Sequence, residues 1–391
     1  MFSTHLRALA CSVVLAALAA CGGDQRPQAL ASGQAPPECR SREEGSRWVS
    51  SGSSYAEAGI LGEDPQYWIE EVAGIAELDG EIYVYDPGRA HIVVLDEAFR
   101  PLRTIGREGK GPGEIQPERD MGRRGPGWRW MDVVDSSLVV YDGFRLQLFS
   151  PDGSLERGRW QNPVRRGWVH FWVDRLRIWD DAIISPSGGY DFGSKSHRPN
   201  EWTLNRSTDS RTTPILSLQL PPRPTLRGVP FTGPQQALPV WDAVNGCVIA
   251  SDGTGRWVVR ASVAGDRIDT LALALPDLPR PKVNIEELER LMGAASKGRG
   301  GGYVEPTAVQ DIDAIIVDPD GYAWILPVQD TAAGGDGVEV VLLSLQTGAA
   351  ARDTVPAFPT EFGRPGEFYA RVGGRNEPAL VRYRLGTGDT P

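Results

Sequence analysis

The residues from Ile69 to Ile115 leave few ways to fold. EVAGIAEL (71–78) is followed by an Asp79-Gly80 dipeptide, EIYVYD (81–86), Pro87-Gly88, AHIVVLD (90–96) and, after a short break, FRPLRTIG (99–106). Asp-Gly and Pro-Gly between runs rich in Ile, Val and Tyr are tight-turn signals. The pattern predicts four antiparallel strands in a meander. The unit closes on a glycine-rich connection, GREGKGPGEI, from Gly106 to Ile115.

The rest of the chain repeats this unit. GWRWMDVV, Asp135-Ser136, SLVVYDG, FRLQLFS and SLERGRW form a second copy, with Tyr141-Asp142 matching Tyr85-Asp86. A third, irregular copy runs from about Gly167 to Leu220. It is expected to begin with WVHFWV as its inner strand and to continue through LRIWDDAIIS. The fourth reads PVWDAV, Asn245-Gly246, CVIAS, RWVVRASV and RIDTLALAL. The fifth reads AVQDIDAIIV, Pro319-Asp320-Gly321, YAWILPV, VEVVLLSL and ARDTVPAF. The sixth, EFYARVG and PALVRYRL, is short of strands.

Repeated four-stranded units define an all-β, six-bladed β-propeller of antiparallel blades over residues 47–391. A strand ahead of the first unit, assigned to Arg47–Ser51, is expected to complete the last blade. The abundance of turn formers, 46 Gly and 31 Pro in 391 residues, fits short strands rather than helices. One helix is expected between blades 4 and 5, over VNIEELERLMGAASK (283–297). Asn284 and Glu287 stand in capping-box order, and Ile285, Leu288, Leu291 and Met292 share a face. It is read either as a lid beside the channel mouth, with the 283–302 segment as its arm, or as an insertion with no such role.

The amino terminus carries an address. His5 and Arg7 precede an apolar run from Ala8 to Ala20, too short to span a bilayer. It ends in Leu18-Ala19-Ala20-Cys21. This resembles a bacterial lipoprotein signal (1–20), whose cleavage leaves Cys21 as a lipid-modified first residue. Gly22, where an inner-membrane retention signal would have Asp, fits an outer-membrane location facing the periplasm. Residues 21–46 are rich in Gly, Pro, Ala and Ser and read as a tether. An oxidising compartment permits a Cys39–Cys247 disulfide, although Cys247 also suits a buried apolar position at a strand start.

YVYDPGRAHIVVLDEAFRPLRTIG and VVYDGFRLQLFSPDGSL resemble the NHL-type repeat. IGREGKGPGEI is similar to the blade-closing motif of bacterial six-bladed propellers, many of them lipoproteins, and returns in abbreviated form as Phe362-Gly-Arg-Pro-Gly-Glu-Phe368. The resemblance implies a fold and a class. It supplies no catalytic residues.

The net charge of −10 argues against a nucleic-acid partner, which needs a basic surface. The loop 106–114 lacks the order and helix of a phosphate cradle. No HExxH or cysteine pair at metal spacing is present. Candidates for the channel mouth are Glu71, Trp130, His170, Trp241, Asp242, Asp311 and Asp313, the two tryptophans being taken as exposed. The leading expectation is a monomeric, lipid-anchored, non-enzymatic module that needs no cofactor and binds a protein, peptide or glycan. The alternative is a lactonase-like hydrolase or lyase with Ca²⁺ held by channel carboxylates.

Overall fold

The computed structural model describes residues 35–39, 55–61, 69–116, 129–142, 145–156, 175–189, 201–208, 211–220, 225–226, 229–230, 237–276, 303–304, 310–329, 337–364, 366–372 and 379–385. Six four-stranded antiparallel sheets follow one another in chain order. Their innermost strands are Gly74–Leu78, Trp130–Val134, Arg177–Trp179, Val240–Val244, Ile312–Val317 and Glu361–Phe362. Each inner strand runs from one face of the ring, the mouth face, to the other, the turn face, where the first hairpin reverses. At the turn face Asp79-Gly80 and Asn245-Gly246 have positive φ at both residues, 51° and 81°, then 51° and 80°. That backbone matches the twist of the flanking strands, which is why those dipeptides signalled hairpins.

Alternation along the strands gives every blade two apolar faces, and each face meets a neighbour. Six buried clusters correspond to the six interfaces. Ala76, Tyr83, Val94 and Met131 join blades 1 and 2. Trp130 with Ile183 joins 2 and 3, and Trp202 with Trp241 joins 3 and 4. Ile249 with Ile315 joins 4 and 5, Trp324 with Phe368 joins 5 and 6, and Ile82 with Tyr369 joins 6 back to 1. The closed circuit removes every exposed sheet face between blades, and burial of each large side chain contributes about 1.5–3 kcal/mol. Inner strands converge tightly at Gly74, where an added Cβ would lie 2.7 Å from the Met131 backbone nitrogen. No larger residue fits there.

The ring is closed by an amino-terminal strand, but not the expected one. Tyr55–Leu61 pairs antiparallel with Ala379–Leu385 and forms the outermost strand of blade 6. Arg47–Ser51 lies outside the described residues. YAEAGIL carries little β-branched character, and its pairing contains a bulge between Glu57 and Ile60. Its strand state comes from the free edge of blade 6 rather than from local preference.

Two further expectations are corrected. The innermost strand of blade 3 is Arg177–Trp179 rather than WVHFWV, whose residues lie outside the described set. The segment Phe362 to Phe368 does not close a blade: Phe362 pairs with Phe368, so it is the first hairpin of blade 6 at the turn face. By contrast, residues 106–115 do connect the outer strand of blade 1 to the inner strand of blade 2. The helix expected over 283–297 lies outside the described residues. The connections on either side of blade 4 meet in a small sheet, Thr225–Leu226 pairing with both Val229–Pro230 and Tyr303–Val304.

Cys39 and Cys247 form a disulfide across 208 residues. Cys39 ends a short 3-10 turn, Pro37–Cys39, and is buried against blades 4 and 5.

Candidate functional site

Three residues before the first turn position of the inner hairpins, blades 2, 3 and 4 carry Asp132, Arg177 and Asp242. At the same register blades 1 and 5 carry Ala76 and Ile315. Common register brings the three charged groups to one level of the channel.

Arg177 bridges it. Its Nε lies 2.7 Å from Asp242 Oδ1 and its Nη2 3.3 Å from Oδ2, while Nη1 lies 3.3 Å from Asp132 Oδ2 and 3.5 Å from Glu361 Oε2. One guanidinium thereby joins the inner strands of blades 2, 3, 4 and 6. Arg175, two residues nearer the mouth, reaches Asp242 Oδ2 at 2.8 Å and the Ile315 carbonyl of blade 5 at 3.3 Å. The Ala243 and Val317 amides each donate to Asp242 at 2.8 Å.

Asp242 therefore accepts five N–H contacts while fully buried. Burial alone would raise its pKa, but Arg175 and Arg177 outweigh it and hold the carboxyl below the ordinary range. Burial works against the charge on Arg177 too, and Asp242, Glu361 and Asp132 reverse it, leaving the guanidinium more firmly protonated than usual. Asp132 and Glu361 share one nitrogen of Arg177, and burial prevails at both, pushing each carboxyl up. Their side chains remain about a quarter exposed, 27% and 23%, because they face the lumen. Two guanidinium groups face three carboxyls, an imbalance in keeping with the upward shift at Asp132 and Glu361.

The mouth is arranged differently. Asp313 is the extra residue of a bulge in the inner strand of blade 5, where the pairing shifts between Ile312 and Ala314. Bulges re-aim side chains. The Asp313 carboxyl is solvent-exposed yet has protein around it, as in a recess, and that enclosure raises its pKa with no partner to oppose it. Asp311 precedes the same strand, its amide donating to the Gly253 carbonyl at 2.7 Å.

Glu71 stands ahead of blade 1. Its amide and that of Glu70 donate to Asp86, at 3.3 and 3.0 Å. Asp142, the equivalent of Asp86 in blade 2, accepts the Arg145 amide at 2.8 Å. Those two aspartates are loop braces. Beside them Arg129 donates Nη1 to the Pro87 carbonyl, while its Nε and Nη2 and the Tyr85 hydroxyl are buried without partners.

Of the residues expected at the mouth, Glu71, Asp311 and Asp313 lie at the mouth ends of inner strands, on two blades. Asp242 is instead locked in the deeper cluster. Trp130 and Trp241 are not exposed: they are 6% and 2% accessible, packed in the 2–3 and 3–4 interfaces. Large aromatic surfaces fill wedges between diverging sheets better than they tolerate water. His170 and Cys21 lie outside the described residues. Arg175, Arg177, Asp132 and Glu361 were not among the candidates. Aligning the copies on their first hairpin turns exposes the Asp132, Arg177, Asp242 register, but nothing local marks Arg175 or Glu361.

Calcium requires six to eight oxygen ligands. Both Asp242 oxygens are engaged by N–H donors, and the Arg177 guanidinium occupies the centre between the three carboxyls. This donor set does not fit calcium. Among the described residues no cluster of three or more His, Cys, Asp or Glu side chains could hold a metal.

No protein-family model matches the chain, and no curated protein matches it by sequence. Solved structures do match it in fold. A member of the DUF4221 family from Bacteroides vulgatus superposes with a TM-score of 0.51 at 12% identity, over 86% of this chain and 98% of that one. A gluconolactonase from Xanthomonas campestris gives a TM-score of 0.43 at 11% identity, over 81% and 88%. A streptogramin B lyase gives 0.43 at 12% identity, over 85% and 98%. At such identities the likeness is one of fold alone. The chain is a six-bladed β-propeller.

Proposed function

We propose that this chain is a lipid-anchored, extracytoplasmic propeller of the NHL-like class, working as a non-enzymatic module whose channel mouth binds a protein, peptide or glycan. One observation carries the reading: Arg175 and Arg177 engage the deep carboxyls, Asp242 through both oxygens, whereas Asp313 at the mouth is accessible and has no partner among the described residues. Asp242, saturated by arginine and amide donors, is ill placed to serve as nucleophile, base or metal ligand. An open carboxyl suits a ligand rich in N–H or O–H donors, such as a lysine-bearing peptide or a sugar. The Leu18-Ala19-Ala20-Cys21 order supports the anchor, and Gly22 after it supports the outer-membrane, periplasm-facing location.

Photocrosslinking in the native envelope tests the binding reading. A specific adduct formed through the mouth and lost in Asp313→Asn supports it. A thermal shift of several degrees with calcium, reversed by chelator, would overturn it in favour of a hydrolase or lyase. For the anchor, Cys21→Ser should release a folded protein from membranes, and retention of that variant under high salt would show the reading to be wrong.

A further inference from the structure

We propose that the turn face is directed toward the lipid surface and the channel mouth away from it, an arrangement that rests on the lipid-anchor reading. Among the described residues the amino-terminal segment meets the fold at Cys39 and at Tyr55, both on the turn face. At the first, Cys39 is bonded to Cys247, the residue that follows the Asn245-Gly246 turn of blade 4. Glu38 lies over that turn, beside Trp179 from the corresponding turn of blade 3. At the second, Tyr55 opens the closing strand opposite Leu385, the last residue of a strand that runs from the mouth face to the turn face.

Asp313, Arg175 and Glu71 mark the other end of the channel. The disulfide also shortens the free chain. Eighteen residues separate Cys21 from Cys39, against 34 from Cys21 to Tyr55. Eighteen residues reach at most roughly 60 Å. To lay the mouth on the lipid, the chain would have to pass outward beneath three strands, about 15 Å, and then climb a blade about 30 Å tall with its loops. That path takes up about three-quarters of its full extension, at a cost in conformational entropy. With the turn face down, no such extension is needed. The mouth is thereby presented to partners in the surrounding space.

Energy transfer to labelled lipid measures the arrangement. Lipidated full-length protein is placed on vesicles of phosphatidylethanolamine with a minority of phosphatidylglycerol and a lipid-borne acceptor. A fluorescent amino acid replaces either Asp181 on the turn face or Glu70 on the mouth face; both side chains are well exposed, 71% and 54%. Transfer should be about twofold or more greater from position 181, given a height difference of about 30 Å. In the Cys39→Ser, Cys247→Ser double variant the difference should shrink but keep its sign, because Tyr55 enters at the same face. Equal or greater transfer from position 70 in vesicle-bound protein would overturn the orientation while leaving the anchor intact. Failure of the protein to bind vesicles at all would overturn the anchor and the orientation together.

Discussion

Asp242 of blade 4 and Asp313 of blade 5 lie on adjacent inner strands of the same channel, yet their surroundings differ in every respect. Asp242 is fully buried, bears five N–H contacts and stays ionised. Asp313, lifted onto a bulge, is accessible, has no partner and titrates upward. The contrast teaches that an acidic residue on an inner strand is not by itself a site. Depth decides, because Arg177 and Arg175 contact the carboxyls at the deeper level, whereas Asp313 has no arginine partner among the described residues.

Breaking the deep level should have the largest effect. Arg177→Met leaves Asp132 and Glu361 without their shared cation and Asp242 with Arg175 alone. Loss of one partner from a buried ion cluster destabilises by about 3–5 kcal/mol. Chemical denaturation should show that loss; a change under 1 kcal/mol would mean that the cluster is hydrated and contributes little.

The disulfide ranks next. Replacing both Cys39 and Cys247 by Ser should lower stability by about 2–4 kcal/mol, given the long loop closed. Thermal or denaturant unfolding under non-reducing conditions checks this. Equal stability would show that the turn over Cys247 holds without it.

A third measurement sharpens the role of arginine. Asp318, at the first hairpin of blade 5, is fully buried like Asp242 but has neutral donors in place of arginines: the Tyr322 amide and the Trp324 indole, at 2.8 and 3.0 Å, and the Asp320 amide. Burial pushes it up to about 6. Its folded value lies above its unfolded one, so its contribution is complete below about pH 4. That contribution falls as the pH rises toward about 6, by roughly 2–3 kcal/mol in all. Tryptophan emission should titrate with a midpoint near 6, and the transition should vanish in Trp324→Phe. A midpoint near 4 would show that neutral donors suffice to keep the carboxyl ionised.

The smallest expected effect is at the mouth. Asp313→Asn should change stability by less than about 0.5 kcal/mol, as befits an exposed group without partners. A loss above 1 kcal/mol would place Asp313 with the structural carboxyls and remove it as a binding residue.

Much of this molecule was legible from residue order. Asp79-Gly80 and Asn245-Gly246 announced hairpins because positive φ is a local demand that few residues meet. The repeated YVYD and VVYD segments announced blades because period-two burial is written into the strand itself. The closing strand was misplaced because YAEAGIL owes its state to a partner more than 300 residues away. Trp130 and Trp241 were misread for a related reason: a strand pattern tells which residues share a face, but not which blade will cover it.

The disulfide was only permitted by the sequence, and proximity was settled by how the amino-terminal segment crosses the turn face. The charged cluster is the clearest case. Asp132, Arg177 and Asp242 each look like an ordinary polar residue in an ordinary strand, and Glu361 sits in a strand of two residues. What the chain determined by itself was the unit, its repetition and its turns, all of which depend on neighbours in sequence. What tertiary structure alone decided was which charges face one another across the channel, because closing a ring brings together the inner strands of blades far apart in sequence.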